Sequence, residues 1–167
     1  KVLVNFDRNG FGYTIDRGTG EVLVAKPFVH VNWATGVNLK SGRPIEDPTK
    51  RTSSMRNTKN VFPAAIGGKS HLPSSYSPNT GLFYVSTINV GMDYEGVEVK
   101  YQAGQPYVGA IVRMFPGPGG NRGEFIAWDA VKGEKVWGIK EDLAAYSGSL
   151  VTSTDVVFYG TMEGWFK

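Results

Sequence analysis

A few side chains in this sequence are of types that could do chemistry. Asp93 and Glu95 alternate, so both carboxylates would share one face of a strand or loop and could work as an acid/base pair. A solvated face is the stronger reading of that alternation. His30 and His71 are isolated from each other in the sequence, and each reads as a surface or packed histidine rather than one of a pair of metal ligands. Arg8 stands in Asp7-Arg8-Asn9-Gly10, where Asn-Gly marks a tight hairpin turn; on residue type alone it is a solvated turn arginine. The sequence contains no cysteine, which excludes a disulfide framework or thiolate metal site built from this chain.

The elements that must position these groups are strands. In 127–137, Ala-Trp-Asp-Ala-Val-Lys-Gly-Glu-Lys-Val-Trp, one strand enters, an Asp-x-x-x-Gly turn reverses it, and a second strand leaves toward Trp137. Asp129 can accept from N–H groups of its own turn, and Gly133 can take the positive φ that closes it. Small Ala127 leaves room for a ring from a neighbouring unit, and Trp137 is placed to dock on the next copy. Further copies occur at Thr14–Val24, at 37–45 and at 76–85, so turn glycines fall at Gly20, Gly42, Gly81 and Gly133. The last two gaps approach the roughly 40–50 residues of a four-stranded propeller blade.

With 167 residues, a single domain is expected; Gly 22, Pro 9 and 13% aromatic residues favour β-structure rich in turns. The net charge of +3 is spread along the chain, which argues for a solvated surface and against nucleic acid as a partner. No stretch is long enough to be a membrane-spanning helix, and no signal peptide is present. The polar run Glu46–Asn60 reads as a long loop, Met92–Glu95 as the start of another excursion, and Pro106–Phe115 as a strand. Glu141–Ala145 could form a helical turn. The last residues, Phe166-Lys167, coincide with the expected start of another copy, which predicts an internal segment of a longer propeller, truncated at both ends.

Several blocks together resemble the pyrroloquinoline quinone (PQQ)-dependent alcohol dehydrogenases. They are Phe6-Asp7-Arg8-Asn9-Gly10, Thr80-Gly81-Leu82-Phe83-Tyr84-Val85, 103–110 and 155–161. The likeness runs the whole length of the chain and is strongest to methanol dehydrogenase large subunits of the lanthanide-type branch. It implies an all-β fold, a segment of an eight-bladed β-propeller with tryptophan-docking motifs, residues 1–167 forming about three to four blades. It implies part of an enzyme that oxidises methanol or another small primary alcohol to the aldehyde by metal-assisted hydride transfer to PQQ, passing electrons to a c-type cytochrome. A periplasmic location and a homodimeric full-length protein follow from the same likeness.

Carried over by position, the resemblance implies that Arg8 reaches the quinone oxygens, where a permanently charged guanidinium suits developing negative charge. Asp7 then either orients that arginine or is a plain turn carboxylate. Ser70, in Gly67-Gly68-Lys69-Ser70-His71, stands where many relatives place a cofactor-bonding Asn, and Tyr146 where relatives carry a Trp beside PQQ. Lys69 could face the cofactor carboxylates, although a solvated lysine is the stronger reading. The catalytic Asp and the ligands of the Ca²⁺ or lanthanide ion precede residue 1 in this family, so no catalytic or metal-binding residue is expected here and the segment alone should be inactive. Some relatives carry cysteines at the positions of Phe62 and Gly91. Two alternatives compete: a non-catalytic propeller scaffold, and a β-sandwich or barrel with sugar-binding aromatics.

Overall fold

The computed structural model describes residues 1–105 and 109–167. Among them lie fourteen β-strands, one 3₁₀ turn at Pro48–Lys50 and no α-helix. Strands β1 (Val2–Phe6), β2 (Phe11–Asp16) and β3 (Val22–Pro27) form an antiparallel sheet in chain order. Strands β4 (Ala34–Asn38) and β5 (Arg43–Glu46) make a separate hairpin. Strands β7 (Ser75–Ser77), β8 (Leu82–Ile88), β11 (Gly123–Asp129) and β12 (Glu134–Glu141) form a four-stranded sheet ordered β12-β11-β8-β7. Strands β13 (Ser149–Val151) and β14 (Val157–Tyr159) form a final pair. The Glu141–Ala145 segment holds a bend, not a helical turn.

The four repeated turns share one geometry. Gly20, Gly42, Gly81 and Gly133 have φ of 78°, 68°, 72° and 70°. Each donates its N–H to the carbonyl four residues back, at 2.8–2.9 Å. The first residue of each turn also caps it with its side chain: Asp16, Asn38, Ser77 and Asp129 accept from N–H groups two or three residues on. Short polar side chains at the turn entry and glycine at its exit are the sequence cause of the recurrence.

Two expectations about the connections need correction. Met92–Glu95 is not the start of a loop but the body of β9 (Val90–Gly96), which pairs along its length with β10 (Ala110–Pro116). The polar run 46–60 contains the 3₁₀ turn and the start of β6 (Thr58–Val61), which pairs with β9 on its other side. In β6 the sequence Thr-Lys-Asn-Val gives no apolar alternation, whereas β9 alternates Val90, Met92 and Tyr94 with Asp93 and Glu95, a strand signal that the loop expectation passes over. The strand expected from Pro106 begins on residues 106–108, which lie outside the described residues; its remainder is β10. The β9–β10 excursion leaves the large sheet after β8 and returns into β11, whose Gly123 is already paired with Ile88. Asn89 ties the two ends: its N–H donates to Arg122 O at 2.8 Å, and its Nδ2 donates to Pro118 O and Asn121 O at 3.1 and 2.9 Å.

Aromatic rings join the sheets. Phe6 of β1 packs edge-on against Phe28 and Trp128, at 5.4 and 6.2 Å between centroids. Trp128, 2% exposed, lies in the core cluster of Val85, Ile126 and Phe28. Ala127 is fully buried, and the ring that packs with it from the next sheet is that of Tyr159, stacked on Phe125 at 3.9 Å. Trp137 rests on Tyr84 and Phe125 of its own sheet, 40% exposed. Below Tyr159, the buried carboxylate of Glu141 accepts from Tyr159 Oη at 2.6 Å and Lys167 Nζ at 2.8 Å. Burial alone would push Glu141 up; the bonds to Lys167 and Tyr159 outweigh it and hold the group below the usual carboxylate value.

Candidate functional site

The site begins at the β1–β2 turn. Gly10 donates its N–H to Asp7 O at 3.1 Å and has φ of 93°, which closes the hairpin. Asp7 Oδ1 accepts from Asn9 N–H at 3.2 Å, so of its two expected roles the turn carboxylate is the one observed. Asn9 binds three ways: its Oδ1 accepts from Phe11 N–H, its Nδ2 donates to Tyr13 Oη, and its carbonyl accepts from Trp33 Nε1. The backbone that carries Arg8 is thus held from several directions, while the side chain stays exposed.

The loop 64–72 lies directly on this turn. Arg8 Nη2 donates to Ala65 O at 2.8 Å, and Gly68 N–H donates to Arg8 O at 2.9 Å. A side chain at Gly67, whose φ is 81°, would place its Cβ 2.9 Å from both Arg8 Cβ and Arg8 O. One at Gly68 would meet Val29 Cγ2 at 2.6 Å. Glycine is required here because two backbones touch. The result is a shallow groove lined by Asn5, Phe6, Asp7, Arg8, Ser70 and His71. The structure therefore brings Arg8 and Ser70, expected from the sequence, to one surface. Ser70 Oγ lies 3.3 Å from His71 Nδ1.

Tyr146 does not line that groove. It is exposed, and its segment reaches the same loop further along: Ser149 N–H donates to Pro73 O at 3.1 Å, and Gly148 packs against Pro73. Lys69 overturns its expected solvation. It is 9% exposed, and its ammonium donates to the carbonyls of Ser70 and Leu72. Burial lowers its pKa from the ordinary lysine value. Asp93 and Glu95 do not form an acid/base pair: Asp93 accepts from Asn60 N–H at 2.8 Å, and Glu95 pairs with Arg113 at 3.0 Å. His30 packs edge-on against Phe62 at 4.7 Å, and His71 Nδ1 faces Ser70 Oγ. No group of three or more His, Cys, Asp or Glu among the described residues could hold a metal ion.

Sequence reasoning missed three contributors: the Ala65 carbonyl, the network around Asn9 and the burial of Lys69. A carbonyl carries no residue-type signal, and Lys usually signals solvent. The Gly67-Gly68 pair was the one visible hint that another backbone comes close.

The donor set of the groove, a guanidinium with one of its N–H groups engaged and a hydroxyl beside it, suits a ligand bearing carboxylate or quinone oxygens. No established family profile matches the chain. It is 52% identical over 168 residues to the lanthanide-dependent methanol dehydrogenase of Methylacidiphilum fumariolicum (strain SolV), covering 99% of this chain and 28% of that protein. It is 37% identical over 174 residues to methanol dehydrogenase [cytochrome c] subunit 1 of Methylorubrum extorquens, covering 28% of that protein. A solved europium-containing methanol dehydrogenase superposes on 99% of the chain with TM-score 0.94 and 52% identity, over 29% of that structure. The chain spans about three tenths of the length of these relatives. Such a superposition sets aside the sandwich or barrel alternative. Over its whole length, the chain is similar to one segment of the lanthanide-dependent methanol dehydrogenases and quinoprotein alcohol dehydrogenases, and its all-β fold is that of a β-propeller segment.

Proposed function

We propose that residues 1–167 form about three to four blades of a periplasmic PQQ-dependent alcohol dehydrogenase, and that the face carrying Arg8, Ser70 and Tyr146 is its contribution to the cofactor site. The observation that carries this reading is the joining of Arg8 and Ser70 on one groove by direct backbone contact through Gly67 and Gly68. When bound, PQQ supplies hydride acceptance, and a Ca²⁺ or lanthanide ion supplies Lewis acidity.

This chain's own residues bind and orient. The Arg8 guanidinium, fixed at Nη2 by Ala65 O, keeps its remaining N–H donors for oxygens that gain negative charge during oxidation. The Ser70 hydroxyl adds a donor that can rotate to fit. Tyr146, on the segment bonded to Pro73, borders the cofactor from outside the Arg8–Ser70 groove. The ligands of the metal and the carboxylate that takes the alcohol proton come from other parts of the enzyme. The substrate is methanol or another small primary alcohol, and the electron acceptor is a c-type cytochrome. The full-length protein is a homodimer. The higher identity to the lanthanide-dependent relative than to the cytochrome c-named subunit supports the lanthanide branch.

The test is Arg8→Ala in the full-length enzyme, loaded with PQQ and metal and assayed with methanol and an artificial acceptor. Removing a preorganised donor of this kind is expected to lower turnover about 100-fold and to reduce PQQ retention. Unchanged turnover and unchanged PQQ occupancy would remove Arg8 from the site.

A further inference from the structure

Lys69 is buried yet has no carboxylate within ion-pair distance among the described residues. An ammonium taken out of water without a counter-charge is retained only where its hydrogen bonds matter. Both its observed acceptors are backbone carbonyls of one short turn, Ser70 O and Leu72 O. That turn follows directly on Gly67 and Gly68, which lie against Arg8. It is anchored at its start by two bonds, Gly68 N–H to Arg8 O at 2.9 Å and Ile88 N–H to Gly68 O at 2.8 Å. Beyond the turn, Pro73 O accepts from Ser149 N–H, in the segment that carries Tyr146. Between these anchors the ammonium is, among the described residues, the group that draws the carbonyls of residues 70 and 72 together.

We propose that Lys69 is a positioning residue for the cofactor site: it clamps the 70–72 backbone from inside, and so fixes the Ser70 hydroxyl relative to the Arg8 guanidinium without touching the cofactor itself. The inference rests on the assignment of Arg8 and Ser70 to the PQQ face. It predicts that Lys69 and Ser70 act as one unit. Once the clamp is lost, the hydroxyl no longer sits where the cofactor needs it, and removing the hydroxyl as well adds little.

The experiment uses the full-length enzyme, stripped of PQQ and titrated with PQQ in the presence of metal, with quinone absorbance reporting binding. Lys69→Met, Ser70→Ala, the double variant and Arg8→Ala are compared, with thermal unfolding followed in parallel. Losing a residue that orients a ligand-binding group typically weakens binding about tenfold to 100-fold. Lys69→Met is therefore expected to raise the PQQ Kd about tenfold, with the double variant no weaker than about threefold beyond the weaker single variant. If Lys69→Met lowers the unfolding temperature but leaves PQQ Kd unchanged, the role is structural and the inference is overturned. Additive losses in the double variant also overturn it, because Lys69 would then act independently of Ser70. Should Lys69→Met fail to fold, Lys69→Gln goes through the same cycle under the same criteria. If Arg8→Ala and Ser70→Ala both leave Kd unchanged, the assignment of the face fails and this inference falls with it. If Arg8→Ala weakens binding and Lys69→Met does not, only the clamp is refuted.

Discussion

Gly81 and Gly67 both hold left-handed backbone, at φ of 72° and 81°, yet they answer to different demands. Around Gly81 a Cβ would find nothing within 4 Å; around Gly67 it would strike Arg8 at 2.9 Å. The turns at Gly20 and Gly81 need glycine for conformation alone, whereas at Gly133 a Cβ would also meet Val24 at 2.6 Å. The turn beside Arg8 needs it for conformation and for room. The comparison separates two kinds of sequence signal. A turn built from local hydrogen bonds is written in consecutive residues. A contact between Arg8 and residue 67 is written in residues far apart, where only the smallness of one partner shows.

The sharpest way to break this comparison is to add one methyl group at each place. Gly67→Ala in the full-length enzyme meets both backbone strain and the Arg8 backbone, and is expected to destabilise by roughly 3 kcal/mol. It should also displace Arg8 and lower PQQ retention, both measured by denaturant unfolding and cofactor content. Gly81→Ala meets strain only, with an expected loss of about 1–2 kcal/mol and full PQQ retention. Equal losses at the two positions, or PQQ loss at both, would erase the distinction.

A smaller effect sharpens the hairpin side. Asp129 is held below the usual carboxylate range chiefly by the Lys132 N–H, against the opposing effect of burial, with the Val131 N–H and the Lys132 charge assisting. Its folded pKa lies below its unfolded one, so its contribution is complete above the unfolded pKa and fades as pH falls through the folded value. Asp129→Asn keeps an acceptor but cannot titrate. It is expected to cost less than about 1 kcal/mol at neutral pH. Its stability should vary less than wild type below about pH 4, read from unfolding midpoints across acid pH. An unchanged acid limb would show that this turn carboxylate does not contribute.

What the sequence disclosed follows the same division. The four Gly-closed turns, the strands between them and Arg8 in its hairpin were legible because their causes are local. Strand β6 was not, because Thr58-Lys59-Asn60-Val61 carries no apolar alternation; β9 does alternate Val90, Met92 and Tyr94 with Asp93 and Glu95, but partners far along the chain decide both pairings. In the candidate site, the Arg8–Ser70 pairing was reached through family resemblance. Lys69 was misjudged because nothing local distinguishes a lysine whose ammonium is spent on carbonyls from one in solvent. Tyr146 could be placed near the same loop only through the Ser149–Pro73 bond, which no spacing announces.

The clasp at Asn89 has a structural consequence. Ile88 and Gly123 meet across the sheet at the point where the β9–β10 arm leaves, while the base of β9 stays tied to β6 and packed through Val90 and Met92 on Val61, Ala64 and Ile88. The Asn89 bonds to Arg122, Pro118 and Asn121 hold the two ends of that arm together at its base. One amide side chain thus lets a long hairpin leave the large sheet and rejoin it without disturbing the register of β8 on β11.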